Sequence, residues 1–266
     1  MATVHDAESA LIESVCERVR ERMAPGEVAD AEAFVRSYYR RAPAADLKGL
    51  EPVDLYGAAL AHWAFGRDRT PGEPRVRVYN PTFEQHGWQS AHTAIEIVSD
   101  DMPFLVDSVS MELSRREIGI HVLVHPVVGN ESYMHIEIDR EADGHDVLAE
   151  ALHGVLASVR VVVDDWQPMR DRMQALVAEL ESAPPASVDP AEADEARAFL
   201  AWLADHHFTF LGYREYLLEE DTLRGVDGTG LGLLRGETRG HVSTAYAKLP
   251  PAVRALAREP HVLVLT

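Results

Sequence analysis

Two stretches of this sequence carry residue types that could do chemistry. The first is Ser99-Asp100-Asp101-Met102-Pro103-Phe104-Leu105, set between a strand-like run and a helix-like run. Carboxylates at such a junction can accept from the first backbone N–H groups of the helix and complement the positive end of its dipole. The same N–H groups could instead hold a ligand carboxylate while Asp100 or Asp101 meets an ammonium, so that one loop grips an amino acid at both charged ends. The candidate ligand set is Asp100, Asp101, Met102, Phe104 and Leu105, with Gly119 at the far end of the helix. A glycine there permits close approach of a ligand. Spacing alone serves simple capping equally well at both places.

The second stretch is rich in histidine. If His121–Val127 and Tyr133–Ile138 are strands of one hairpin, Val122 and Val124 share a face with Met134, Ile136 and Ile138. The opposite face then carries His121, Leu123, His125, Tyr133, His135 and Glu137. Imidazole and carboxylate are zinc ligands, but each must reach the ion at about 2 Å. His121 and His125 would lie about 13 Å apart at about 3.3 Å per residue, too far to share one ion. No metal is therefore expected, and His121, His125, Tyr133 and His135 are read as a polar face that docks another domain or subunit.

Elsewhere the chemistry thins. Gly228-Thr229-Gly230-Leu231-Gly232 lacks the spacing of a dinucleotide-binding fingerprint and has no βαβ unit around it, so it reads as a hairpin-rich loop. His206-His207, at a helix end, reads as favourable charge near the C-terminal dipole. The sequence contains no Walker A loop, H-E-x-x-H, C-x-x-C or G-x-S-x-G. No catalytic residues are assigned, and the chain is expected to be non-catalytic by itself.

The elements that must position these residues follow from periodicity. Ile12, Val15, Val19 and Met23 mark a first helix ended by Pro25-Gly26. A second is expected over about 29–41, and a third from Pro52, with Leu55, Ala59, His62 and Trp63 on one face. The segment 66–74 reads as a linker. Strands are then expected at Arg75–Tyr79, His92–Val98, His121–Val127, Tyr133–Ile138 and Val159–Val163, and helices at Met102–Ile118 and Asp146–Ala157. From His92 that order is strand, helix, strand, strand, helix, strand: an α+β, ferredoxin-like βαββαβ domain. Trp166–Glu181 is read as a connector helix, 183–190 as a linker, and Phe208–Tyr216 as a strand after one more helix. The run His261–Thr266 resembles an unfinished strand, which suggests a piece of a longer protein. The domain reading is 1–74 helical, 75–168 ferredoxin-like, 169–190 connector, and 191–266 the start of a second α/β domain.

The chain has 266 residues, a net charge of −19, 46% hydrophobic residues and one cysteine, Cys16. That composition suits a globular protein, and one cysteine cannot form an internal disulfide. Such an acidic balance argues against binding a nucleic-acid backbone. No run is long and apolar enough to span a membrane, and Met1–Ala10 lacks a signal-peptide pattern. A cytoplasmic location is expected, without nucleic-acid or membrane partners.

Three stretches resemble a known family. Asp100-Asp101-Met102-Pro103-Phe104-Leu105-Val106-Asp107-Ser108-Val109, running to Glu117-Ile118-Gly119-Ile120, is similar to the first half of an ACT domain, a regulatory βαββαβ module that often binds amino acids. Together with Arg77-Val78-Tyr79-Asn80-Pro81 and the run from Phe199 to Tyr213 that includes His206-His207-Phe208-Thr209-Phe210-Leu211-Gly212, it resembles the N-terminal region of large bacterial NAD-specific glutamate dehydrogenases. The resemblance implies a parent enzyme that oxidises L-glutamate with NAD and water to 2-oxoglutarate, ammonium and NADH. It implies that NAD binds in a catalytic domain beyond this chain, so no cofactor is assigned here. The partners it implies are the remainder of the same polypeptide, further copies of the chain, and an amino-acid effector at Asp100–Leu105 and Gly119. Phe104-Leu105 stands where sensing ACT domains often have glycine, and those side chains would fill the pocket. The reading therefore favours assembly and domain docking, with allosteric amino-acid sensing as the alternative.

Overall fold

The computed structural model describes residues 4–40, 42, 51–219, 222–236 and 242–256. They fall into two compact units that divide between Val159 and Arg160. The first opens with three helices, α1 (Val4–Arg22), α2 (Val28–Tyr39) and α3 (Pro52–Gly66). It continues with β1 (Arg75–Tyr79), the single-turn α4 (Phe83–His86), β2 (Thr93–Asp100), α5 (Leu105–Arg115), β3 (Ile120–Val124), β4 (Val127–Val128) and β5 (Glu131–Ile138). The long α6 (His145–Ser182) runs through the division.

The sheet is antiparallel in the order β1-β2-β5-β3, with β4 also on β5. Its two faces differ in chemistry because side chains alternate along a strand. Ile95, Ile97, Met134, Ile136 and Ile138 point one way and are fully buried. The unit's remaining buried apolar stripes are Leu105, Val109 and Leu113 on α5 and Leu148, Leu152 and Leu156 on α6. The opposite face presents Arg77, Tyr79, Glu96, Val98, Tyr133, His135 and Glu137. There Val98, Val124 and Tyr133 share one hydrophobic cluster with Val15, Phe34, Tyr38, Leu55 and Ala59 of α1–α3. The helices before the 66–74 linker and the sheet after it thus share a core.

Two expectations change here. Val159–Val163 is helical, and the strand flanking β2 on its outer side is β1. A short apolar run is ambiguous between strand and buried helix. The wider pattern decides it, since Leu148, Leu152, Leu156, Val159 and Val162 are buried at helical intervals. The helix expected at Met102–Ile118 is shorter, because Phe104 takes a left-handed conformation (φ 69) and α5 begins only at Leu105. It ends at Glu117 (φ 61) and not at Gly119. There Glu117 N donates to Ser114 O at 2.9 Å and Ile118 N to Leu113 O at 3.0 Å. That bond pattern closes a helix through a left-handed residue.

Unit 2 takes the C-terminal part of α6, then α7 (Pro190–Trp202), capped by Asp189 Oδ1 accepting from Ala191 N at 2.8 Å. The chain leaves α7 through Leu203–His207, where Asp205 and His206 are non-helical. Two small antiparallel pairs follow: β6 (Gly212–Tyr213) with β9 (Leu231–Gly232), and β7 (Tyr216–Glu219) with β8 (Thr222–Gly225). The short α8 (Thr244–Lys248) and α9 (Pro251–Leu256) complete it. The strand expected over Phe208–Tyr216 is thereby reduced to Gly212–Tyr213 and the first residue of β7. The strand read at His261–Thr266 lies outside the described residues.

Candidate functional site

The loop after β2 is engaged internally. Arg69, almost wholly buried, donates from Nη2 to Asp100 Oδ1 at 2.6 Å and from Nε to Glu131 Oε1 at 2.8 Å. Asp100 Oδ2 also accepts from Gly72 N at 3.0 Å. Asp101 and Phe104 are exposed, Met102 is half-buried and Leu105 is buried. Gly119 stands elsewhere. Asp100 lies opposite Glu131, whereas Ile120, next to Gly119, lies opposite Ile138 at the other end of β5. Those ends are about 23 Å apart at about 3.3 Å per residue. The candidate ligand set is therefore split between two ends of the sheet. Gly119 N donates to Asp139 Oδ2 at 3.0 Å, and a Cβ on Gly119 would meet that oxygen at 2.6 Å.

The histidine hairpin also resolves differently. Val122 pairs with Glu137 and Val124 with His135, because the register shifts between Ile120 and Val122. One irregular residue moves every later side chain to the other face. The valines consequently share the face of Tyr133, His135 and Glu137. Tyr133 and His135 are buried, the former against the N-terminal helices, so neither is available to an approaching subunit. His121 stays exposed, with Nε2 at 2.7 Å from Asp139 Oδ1 and its ring stacked on His92 at 4.1 Å. His125 is half-buried and bonds Ser132 Oγ at 2.7 Å.

What the helices cover is a layer of buried polar groups. Tyr38 Oη bonds His62 Nδ1 at 2.8 Å, and His62 Nε2 donates to Ile97 O at 3.1 Å. Arg77 Nε donates to Glu96 Oε2 at 2.6 Å, and Tyr79 Oη to Glu96 Oε1 at 2.8 Å. His135 stands between two carboxylates, with Nδ1 at 3.9 Å from Glu96 Oε1 and Nε2 at 3.5 Å from Glu137 Oε1. Nδ1 makes no hydrogen bond. Glu137 accepts further from Ser90 Oγ and, at 3.1 Å, from His92 Nδ1. Burial alone would raise the Glu137 carboxyl, but donation from His135, Ser90 and His92 outweighs it and holds it at about 2. Burial pushes His62 down to about 4.

The ligand atoms of His62, Glu96 and His135 lie within 4.8 Å of one another. Two histidines and a carboxylate suggest a metal, yet the residues fit one poorly. His62 uses both ring nitrogens on Tyr38 and Ile97, and Arg77 already pairs with Glu96. A ligating imidazole needs a free lone pair. The sequence did signal this layer. Glu96 interrupts an apolar run in β2, and Arg77 alternates with valines in β1. Beside the layer, a cleft of about 920 Å³ opens between α3, the 81–92 loop and β3, with His135 and Glu137 in its wall.

In unit 2 the glycine-rich loop holds a carboxylate in place of a phosphate. Asp165, buried on α6, accepts from Gly232 N at 2.7 Å and pairs with Arg235. His207 Nδ1 lies 3.0 Å from Trp202 O at the end of α7, as a residue favoured by that dipole should. Trp202, Phe208, Leu211, Leu217, Leu218 and Leu233 are exposed.

Comparison with known proteins places these features. Residues 34–131 match the family described as Glutamate dehydrogenase, ACT1 domain. That span begins within α2, so it includes helices that cover the sheet. The chain is 38% identical over 259 residues to an NAD-specific glutamate dehydrogenase of Halomonas elongata, covering 86% of this chain and 16% of the relative. It is 40% identical over 193 residues to that of Pseudomonas aeruginosa, covering 63% and 12%. Against that of Mycobacterium tuberculosis it is 28% identical over 215 residues, covering 70% and 13%. It is homologous to the N-terminal region of these enzymes and spans between 12% and 16% of their length. No helix among the described residues is long and apolar enough to cross a membrane.

Proposed function

We propose that this chain is the non-catalytic N-terminal region of an NAD-dependent glutamate dehydrogenase, serving docking and assembly, with unit 2 packing against the remainder of the polypeptide. The parent would convert L-glutamate, NAD and water to 2-oxoglutarate, ammonium and NADH, with NAD held outside this chain. The observation that carries the docking reading is the run of exposed apolar side chains in unit 2: Trp202, Phe208, Leu211, Leu217, Leu218 and Leu233. Isolated exposed leucines are ordinary, but six large exposed apolar groups within 32 residues (202–233) support the reading of a surface that meets a partner. The partner chosen is the remainder of the polypeptide, because the matched relatives are roughly fivefold longer: 86% of this chain covers 16% of one, and 63% covers 12% of the other. The alternative, an amino acid held at Asp100–Leu105 and Gly119, has less support, since Asp100 is tied to Arg69 and Gly119 lies at the other end of the sheet.

The test is sedimentation velocity of the chain mixed with the catalytic portion of a homologous NAD-specific glutamate dehydrogenase, supplied as a separate polypeptide. A complex is expected, weakened at least about tenfold by Phe208→Asp combined with Leu211→Asp. Absence of any complex contradicts the docking reading.

A further inference from the structure

The cleft beside the polar layer carries an assignment of its own, independent of docking in unit 2. Its apolar wall is made by Leu55 and Ala58 of α3, Trp88 of the loop before β2, and Val122 and Val124 of β3. Its volume of about 920 Å³ is that of a small-molecule site, within the usual range of roughly 300–1,000 Å³. The polar part of the wall is unbalanced in charge. Asp54, Glu84 and Glu137 line it with the imidazoles of His92 and His135 and one guanidinium, that of Arg140, whose Nη1 donates to Ser90 O at 3.1 Å.

Glu137 is the telling group. It is 6% exposed, and among the described residues its ion-pair and hydrogen-bond partners are Ser90, His92 and His135, with no arginine or lysine. Its neighbour Glu96 is neutralised by Arg77. The donors to Glu137 keep its carboxylate ionised, and a buried anion is an attractive partner for a cation that brings its own hydrogen bonds. Here an open cleft with apolar walls leads to that carboxylate. We propose that the cleft binds a small organic ammonium ion, its charge directed to Glu137 and its hydrocarbon body laid against Leu55, Trp88 and Val122. Asp54 and Glu84 attract the cation, and a matching anion is repelled. The site is separate from the Asp100–Leu105 loop, since Glu137 pairs with Ala94 and Asp100 lies six residues further along β2.

The experiment is a calorimetric titration of the whole 266-residue chain with n-hexylammonium, and in parallel with hexanoate and hexanol as the anionic and neutral probes of the same length. Saturable binding of the ammonium is expected, with the other two at least about tenfold weaker. Glu137→Gln is expected to lower the ammonium's affinity by at least about tenfold. Should that variant fail to fold, Val122→Trp decides: it fills the cleft from the sheet edge while leaving Glu137 and its donors in place, and it should abolish binding. Equal binding of hexanoate or hexanol, unchanged affinity in a folded variant of either kind, or no binding of the ammonium would each overturn the assignment.

Discussion

At Glu117 the backbone takes φ 61 to close α5, a conformation in which a side chain crowds its own carbonyl. Glu117 is exposed, and the bonds that matter at this turn are made by backbone groups. Glu117→Gly should therefore stabilise the protein by about 1 kcal/mol, read as a higher thermal midpoint. A lower midpoint would mean that the carboxylate contributes something the turn does not show. His62 is the residue with a pH consequence. Its folded value of about 4 lies below the ordinary 6.5, so the unfolded chain takes up the proton first. The stability it contributes is complete above about pH 6.5 and is lost as pH falls toward about 4, amounting to roughly 3 kcal/mol. Glu137, depressed to about 2 from 4.5, adds a second loss below about pH 4.5. Urea unfolding near pH 7 and near pH 4.5 should show the first loss, and equal stability at the two would refute the buried-neutral account of His62. Only part of this was legible from spacing. The sequence put His62 on the correct helix face, but the partners Tyr38 and Ile97 become neighbours only when α2 and α3 close over the sheet.

Among the elements, the N-terminal helices and the strands β1, β2 and β5 were readable, because each keeps one period along its length. What failed were places where one residue decides. The irregularity between Ile120 and Val122 reverses the faces of the histidine hairpin, and a pattern read as strict alternation carries no sign of it. Val161-Val162-Val163 looks like a strand in isolation, whereas the spacing of Leu148, Leu152, Leu156 and Val159 binds it to α6. The joint between α3 and the loop before β2 is another such place. A Cβ on Gly57 would meet Trp88 Cβ at 2.5 Å and Gly87 O at 2.7 Å. Neither neighbour is the far end of a flexible chain, so α3 must shift. Gly57→Ala should destabilise the protein by about 1–3 kcal/mol despite alanine's better helix propensity. An unchanged or raised midpoint in a thermal melt would show that α3 is not seated as described. The same shift would disturb the cleft, since Leu55 and Ala58 flank Gly57.

For the whole molecule, the Asp100–Val109 and Phe199–Tyr213 runs point to the glutamate dehydrogenases, and homology to those enzymes bears it out. The chemistry expected of the loop did not carry over so simply. Asp100 fastens Arg69 between two strands, and the buried carboxylates of Glu96 and Glu137 lie on a face that the N-terminal helices cover. Polar groups in unit 1 hold helices to sheet, while unit 2 exposes large apolar groups such as Phe208 and Leu211. Under the docking proposal, the chain acts through what it binds. The measurement that reaches this claim most directly is the steady-state kinetics of the catalytic portion of a homologous NAD-specific glutamate dehydrogenase, with this chain absent, added in excess, or assayed alone. The account predicts no NADH formation by the chain alone and a saturable change in KM or kcat when it is added, lost in the Phe208→Asp and Leu211→Asp double variant. Glutamate-dependent NADH formation by the chain itself, or kinetics unmoved by its addition, would contradict it.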